Sequence, residues 1–297
     1  MKTQSNNKIN SINKNNWFDY VNIAFITLFA LIIVYPFYNS VLISFTPQYV
    51  YVREPFMLIP REANIESYYI VFENKVLFTG MRVTVIVTLL GVIYNMLLTL
   101  GMAYSFNKDF PFKKTLYYIV LFTMFFSGGL IPFYLLVRDL NLMNQISSMI
   151  LPTGISIAFM TVMGKYFASL PVELEESAKL EGANDITILV RIIMPLAVPM
   201  IVTFSLYYGV DRWNEWWYGM LFIKDAFKQP LQLVLRGIIQ AAGTTNTSSH
   251  LLDAGIIPFS DGVKMASIVI TMTPVMCVYP FLQKYFVQGL AIGAVKG

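Results

Sequence analysis

Residues 171–183 read Pro171-Val172-Glu173-Leu174-Glu175-Glu176-Ser177-Ala178-Lys179-Leu180-Glu181-Gly182-Ala183, and Ile192-Ile193-Met194-Pro195 follows; this is the one charged helical run set between strongly apolar stretches. Pro171 suits a first helical turn, where its missing N–H would have had no intrahelical partner. Glu173, Glu175 and Glu176 place negative charge near the positive end of the helix dipole, so a helix is predicted to start here. Glu175 and Lys179 form an i,i+4 pair in the favourable order, and Leu174, Ala178 and Leu180 make a narrow apolar stripe. Gly182 can adopt the left-handed conformation that ends a helix, and Asn184 or Asp185 can cap the next one. The pattern predicts a short helix, a tight turn and a second helix running into Pro195. A solvated helix lying on a membrane surface without a partner is the plainer alternative.

The surroundings of this run decide the class. Of 297 residues 56% are hydrophobic and 13% charged, with mean hydropathy +0.60, whereas soluble domains carry roughly 25% charged residues. An all-α integral membrane protein is expected. Six spans can be read from apolar runs: Phe18–Phe45, Met81–Phe106, Leu116–Val137, Ile146–Phe167, Ile193–Ile223 and Val263–Phe286. The polar residues 1–16 read as a disordered tail. The first span is too long for a removed signal peptide and lacks a small-residue cleavage site. Residues 17–297 then form a single transmembrane domain.

Several functions drop out on composition. No GxxxxGK[ST] phosphate loop occurs, so energy for any transport must come from a partner or a gradient. The single Cys277 and single His250 leave no disulfide framework and no multi-ligand metal site. The net charge of +4 gives no reason to invoke nucleic acid. No nucleophile is accompanied by a base, so an enzyme is not expected.

Orientation follows from the short loops. Lys108, Lys113 and Lys114 lie between the second and third spans and Lys2, Lys8 and Lys14 in the tail, while the loop after the third span offers only Arg138 beside Asp139. Both termini, and with them the loop 170–195, are expected in the cytoplasm. Outside would lie residues 46–80, with a short helix around Ile65–Phe72, and residues 224–262. The latter open with an apolar helical stretch, Pro230–Gln240, and turn polar at Gly243–His250. Thr244, Thr245, Asn246, Thr247 and Ser248 are candidates for contact with a protein on that side. No repeat and no inverted half-to-half symmetry is visible, which weakens a gradient-driven transporter.

Two segments are candidates for lining a pathway. Phe126-Ser127-Gly128-Gly129-Leu130-Ile131-Pro132 interrupts the third span; Gly128 and Gly129 either border a wet cavity or let two helices approach closely. In the fifth span Asp211 lies about 24 Å beyond Pro195, near one edge of a hydrocarbon core roughly 30 Å thick. Arg212-Trp213-Asn214-Glu215-Trp216-Trp217-Tyr218 follow it. Asp211, Arg212 and Glu215 can pair with one another there, and Trp213, Trp216 and Trp217 suit either stacking on sugar rings or an interfacial aromatic belt.

The layout Glu-small-Ala, three residues, Gly, nine residues, Ile-x-Met-Pro resembles the cytoplasmic "EAA" loop of ABC-importer permeases, with Ser177 for the usual first Ala and Met194 for the usual Leu. The resemblance runs from the first span to Gly297. Gly128–Pro132, Trp213-Asn214-Glu215-Trp216 and the ending Gly289–Gly297 are similar to the carbohydrate, maltose-transporter-like branch, and to its complex-oligosaccharide subgroup, which includes alginate and pectin-fragment importers. It implies the type I importer permease fold in a bacterial inner membrane, with no catalysis in this chain. It further implies a heterodimer with a second permease, two ATPase subunits carrying ATP and Mg, and an extracytoplasmic solute-binding protein. Carried onto this sequence, Glu173, Glu176, Ala178, Leu180, Glu181, Gly182 and Ala183 would meet the ATPase. If the sugar is a uronide, Arg212 would be suited to its carboxylates through a bidentate fork. An amino-acid or peptide importer, or an ion-coupled transporter, remains as the alternative.

Overall fold

The computed structural model describes residues 17–54, 57–59, 62–243 and 261–294, and among these it is helical without strands. The described residues divide into two compact units, 17–68 with 261–269, and 69–243 with 270–294.

In the first unit, α1 (Trp17–Ser44) is apolar around its whole circumference and buries only Leu42, Ile43 and Ser44 at its end. A helix of that kind is suited to lipid rather than to water. α2 (Gln48–Arg53) follows, and α3 (Glu66–Glu73) begins in this unit.

The second unit is built around α4 (Lys75–Ser105), about 46 Å long at 1.5 Å per residue. The Asn74 side chain accepts from Val76 N and Leu77 N at 3.0 and 3.2 Å, which fixes the helix start six residues before the expected Met81. One face of α4, from Leu77 through Val87 and Asn95 to Tyr104, is buried. Against it pack α7 (Ile157–Phe167), α11 (Val198–Trp213) and α13 (Leu231–Gly243).

Among the described residues three helices are long and apolar enough to cross a bilayer unbroken: α1, α4 and the 261–278 part of α14 (Asp261–Ala294). The other three expected spans are bent pairs. α5 (Lys113–Phe125) and α6 (Leu130–Asp139) meet at 114°, two 3-10 turns (146–153) and α7 at 51°, and residues 185–196, which end in the short α10 (Met194–Leu196), meet α11 at 88°. Six spans result only if each bent pair counts as one. The causes are local. Gly129, at φ +89°, starts α6 after an extended break at 126–129. Pro152 sits in the second 3-10 turn, and Pro195 and Pro199 flank the elbow at Ala197; each removes a helical N–H. The helix that follows the elbow in the fifth apolar run begins at Val198.

Candidate functional site

The charged run forms the predicted helix, α8 (Val172–Leu180). Gly182 ends it at φ +84°: Ala183 N donates to Ala178 O and Gly182 N to Lys179 O, both at 3.0 Å. These are the two bonds of a Schellman turn. Asn184 then caps α9 (Asp185–Ile188), its side chain accepting from Thr187 N at 2.8 Å. Glu175 pairs with Lys179 at 2.7 Å, as the spacing predicts, and also with Lys108 beyond the end of α4. Lys108 lies over the Tyr104 ring, 4.2 Å from its centre, and 3.8 Å from Asp185. Partial burial pushes the Glu175 carboxyl up, but hydrogen bonds and charge from Lys108 and Lys179 outweigh it and hold it below the usual carboxylate range.

The apolar stripe of α8 is narrower than its sequence suggests. Only Ala178 is buried; Leu174 is exposed, and Leu180 is 91% exposed. The short helix leans on the protein along a single line and turns Leu180 away from it. Glu173, Glu176, Glu181 and Gly182 are exposed, Ala183 is half-buried, and Val172 and Ile186 add exposed apolar surface. The outward face is thus acidic and greasy at once. Ala178 in turn belongs to a continuous buried cluster with Ile188, Ile193, Ala197, Phe204 and Tyr208. Packed side chains run from α8 through the elbow and up α11.

At the other end of α11, Tyr208 borders a cavity of about 390 Å³. Its wall combines Asn95 of α4, Thr153, Ile155 and Ser156 of the broken helix, Asp211 of α11, and Asn214–Tyr218 leading into α12 (Trp217–Phe222). The Tyr208 hydroxyl accepts from Ser156 N at 3.0 Å and shares a hydrogen bond with Thr99 Oγ1 at 2.8 Å. Glu215 is buried; its Oε1 accepts from Tyr218 N at 2.8 Å and caps the first turn of α12. Asp211, Asn214 and Trp217 are exposed, and Trp216 is half-buried against Trp217 in an edge contact.

Arg212 does not reach this cavity. It is 1% exposed and donates to Met149 O and Thr153 O, each at 2.6 Å, and to Asn95 Oδ1 at 3.1 Å. A helix break leaves carbonyls without helical partners, and the guanidinium supplies the donors. Gly91, one turn before Asn95, makes room: a Cβ there would lie 3.0 Å from the Arg212 stem. The expectation that Arg212 meets a carboxylate sugar therefore fails on access, and no ion pair joins it to Asp211 or Glu215 among the described residues. Trp213 also turns elsewhere, its Nε1 donating to Thr271 O at 3.3 Å. Gly128 and Gly129 are exposed and line no part of the cavity. Residues 244–248 lie outside the described residues. Asn95 and Tyr208 are wall residues that the sequence reading does not single out, although Asn95 is the lone amide in a long apolar helix, a costly placement that signals a role.

Residues 96–292 match the model of the family described as binding-protein-dependent transport system inner membrane component. The chain belongs to that family. It is 37% identical over 285 residues to the polygalacturonan/rhamnogalacturonan transport system permease protein YtcP of Bacillus subtilis, covering 96% of this chain and all of that one. With protein LplC of the same organism it shares 36% over 281 residues, or 94% and 95% of the two chains. Among solved structures it superposes with TM-score 0.84 and 29% identity on a chain of a bacterial ABC transporter involved in the import of the acidic polysaccharide alginate, covering 92% of this chain and 97% of that one. The permease is thus a membrane-embedded transport subunit of a binding-protein-dependent system, built on the type I importer fold.

Proposed function

We propose that the permease is one of two transmembrane subunits of an ATP-driven importer that moves oligosaccharides from a solute-binding protein into the cytoplasm. Support for the sugar comes from relatives named for pectic polysaccharides and arabinooligosaccharides and from the alginate importer. These do not favour an amino-acid or peptide importer. In this reading both termini and α8 face the cytoplasm, two ATPase subunits bind ATP and Mg there, and residues 244–248 meet the binding protein on the other side.

The observation that carries the proposal is the outward face of α8. An exposed Leu180 amid Glu173, Glu176 and Glu181 is poor design for a free surface and good design for a docked one. Movement of α8 with a docked ATPase passes through Ala178 and the buried cluster to Tyr208 at the cavity wall. Asp211, Asn214, Trp216 and Trp217 then offer hydroxyl-binding and stacking groups to a passing sugar.

Gly182→Val tests this. No atom lies within 4 Å of a Cβ at this position, so the substitution strains only the backbone, by about 1–3 kcal/mol. The complex should assemble, bind ATP and hydrolyse it while losing most sugar uptake. Full, binding-protein-stimulated uptake in the reconstituted variant would remove the coupling role.

A further inference from the structure

A cavity bordered by Asp211 and Glu215 has no lysine or arginine in its wall. An anionic sugar passing it would meet like charge unless an exposed cation stands beside the wall. One does. Arg236 of α13 places its guanidinium carbon over the Trp216 ring, 3.9 Å from the ring centre, and Trp216 is a wall residue. Arg236 is exposed, and no carboxylate among the described residues lies within ion-pair distance of it.

The guanidinium is also held in place. One turn earlier on the same face of α13, Gln232 Nε2 donates to Asn214 Oδ1 at 3.3 Å, so the helix lies along the 214–216 segment. α13 is itself anchored on α4: Leu231 N donates to Thr84 Oγ1 at 2.8 Å, and Leu231, Val234, Leu235 and Ile238 are buried. Stacking on an aromatic ring engages the face of a guanidinium and leaves its N–H edge for a planar acceptor. A carboxylate matches that edge bidentately.

We propose that Arg236, set by Trp216, is the carboxylate-recognising group of this cavity and makes the permease selective for acidic sugar units. The inference rests on the oligosaccharide reading above. A guanidinium beside a tryptophan could equally take a lipid phosphate at the membrane edge; its contact with a cavity wall residue favours the sugar.

The experiment uses the complete complex with its binding protein in proteoliposomes, and two probes of equal length, trigalacturonate and its fully methyl-esterified counterpart. Arg236→Gln should raise the half-saturating concentration for the acid about tenfold, the worth of one charge-assisted bond, and leave the ester within about twofold. Arg236→Lys should fall between, keeping charge but not the fork. Equal losses for both sugars would assign Arg236 to lipid anchoring or to structure and overturn the proposal. Unchanged acid uptake in Arg236→Gln would overturn it too, while leaving the importer reading intact. A wild-type complex that imports neither probe would overturn the oligosaccharide reading and this proposal together.

Discussion

Two charged segments of the permease, α8 and residues 211–218, use their charges in opposite ways. On α8 the carboxylates of Glu173, Glu176 and Glu181 point outward, and one alanine with one lysine bridge holds the helix down. In the 211–218 segment, Arg212 and Glu215 turn inward, each spent on backbone groups: a cap for α12 and a clamp for the broken helix before α7. A docking surface must present its charge to something absent from the chain. A cavity wall must first exist, and here buried charge is the mortar. Equal charge density along a sequence therefore says little about which residues meet a partner.

The contrast breaks most sharply at Arg212. Arg212→Met leaves two carbonyls and Asn95 without their donor, at a cost on the order of 3 kcal/mol. The purified complex should melt at lower temperature, and acidic and neutral sugars should lose uptake alike. A selective loss of acidic sugar would return Arg212 to the pathway. Tyr208→Phe is the next test, removing the hydroxyl that joins α11 to Ser156 and Thr99. About 1–2 kcal/mol should go, seen as faster hydrogen exchange at the start of α7 while exchange in α8 is unchanged. If α8 also loosens, the cluster between them carries strain as well as motion.

The smallest effect concerns α8 and pH. The folded Glu175 carboxyl sits below its unfolded value of 4.5, so its stabilisation is complete above the unfolded pKa and is lost as pH falls through the folded one. The α8 amides should exchange at unchanged intrinsic-corrected rates from pH 8 to 5 and faster only in stronger acid. Glu175→Gln should give the faster rate at every pH, by less than about 1 kcal/mol. A midpoint near neutrality would point to another group.

These tests follow the line between what the sequence could and could not tell. The helix of 172–180, its glycine stop and the Glu175–Lys179 pair were all legible, and the next cap was legible to within Asn184 or Asp185, because each depends on neighbours within five residues. The break at Gly129 was legible too, but not its 114° angle, which is set by backbone torsions that hydropathy does not record. Leu174, Ala178 and Leu180 read as one apolar stripe, yet only Ala178 is buried, because a period of 3.6 says which residues share a face, not how wide a contact lies beneath it. Arg212 was misread for a related reason. A guanidinium in an apolar segment signals polar need nearby, but the carbonyls that need it lie some sixty residues upstream. Asn95 signalled a role as the lone amide of α4 but not its partners, which are set by packing, and Tyr208, one of two adjacent tyrosines in α11, carried no signal of its own.

Gly91 and Arg212 meet backbone to side chain at the crossing of α4 and α11, where a Cβ would stand 3.0 Å from the arginine stem and force it to shift. The two positions are therefore expected to change together. A lineage that enlarges residue 91 must shorten residue 212 in the same step, and must then find another donor for the carbonyls of Met149 and Thr153. Permeases of this kind are expected to pair glycine at this crossing with the arginine, and a chimaera that brings bulk at position 91 against Arg212 should be strained here first.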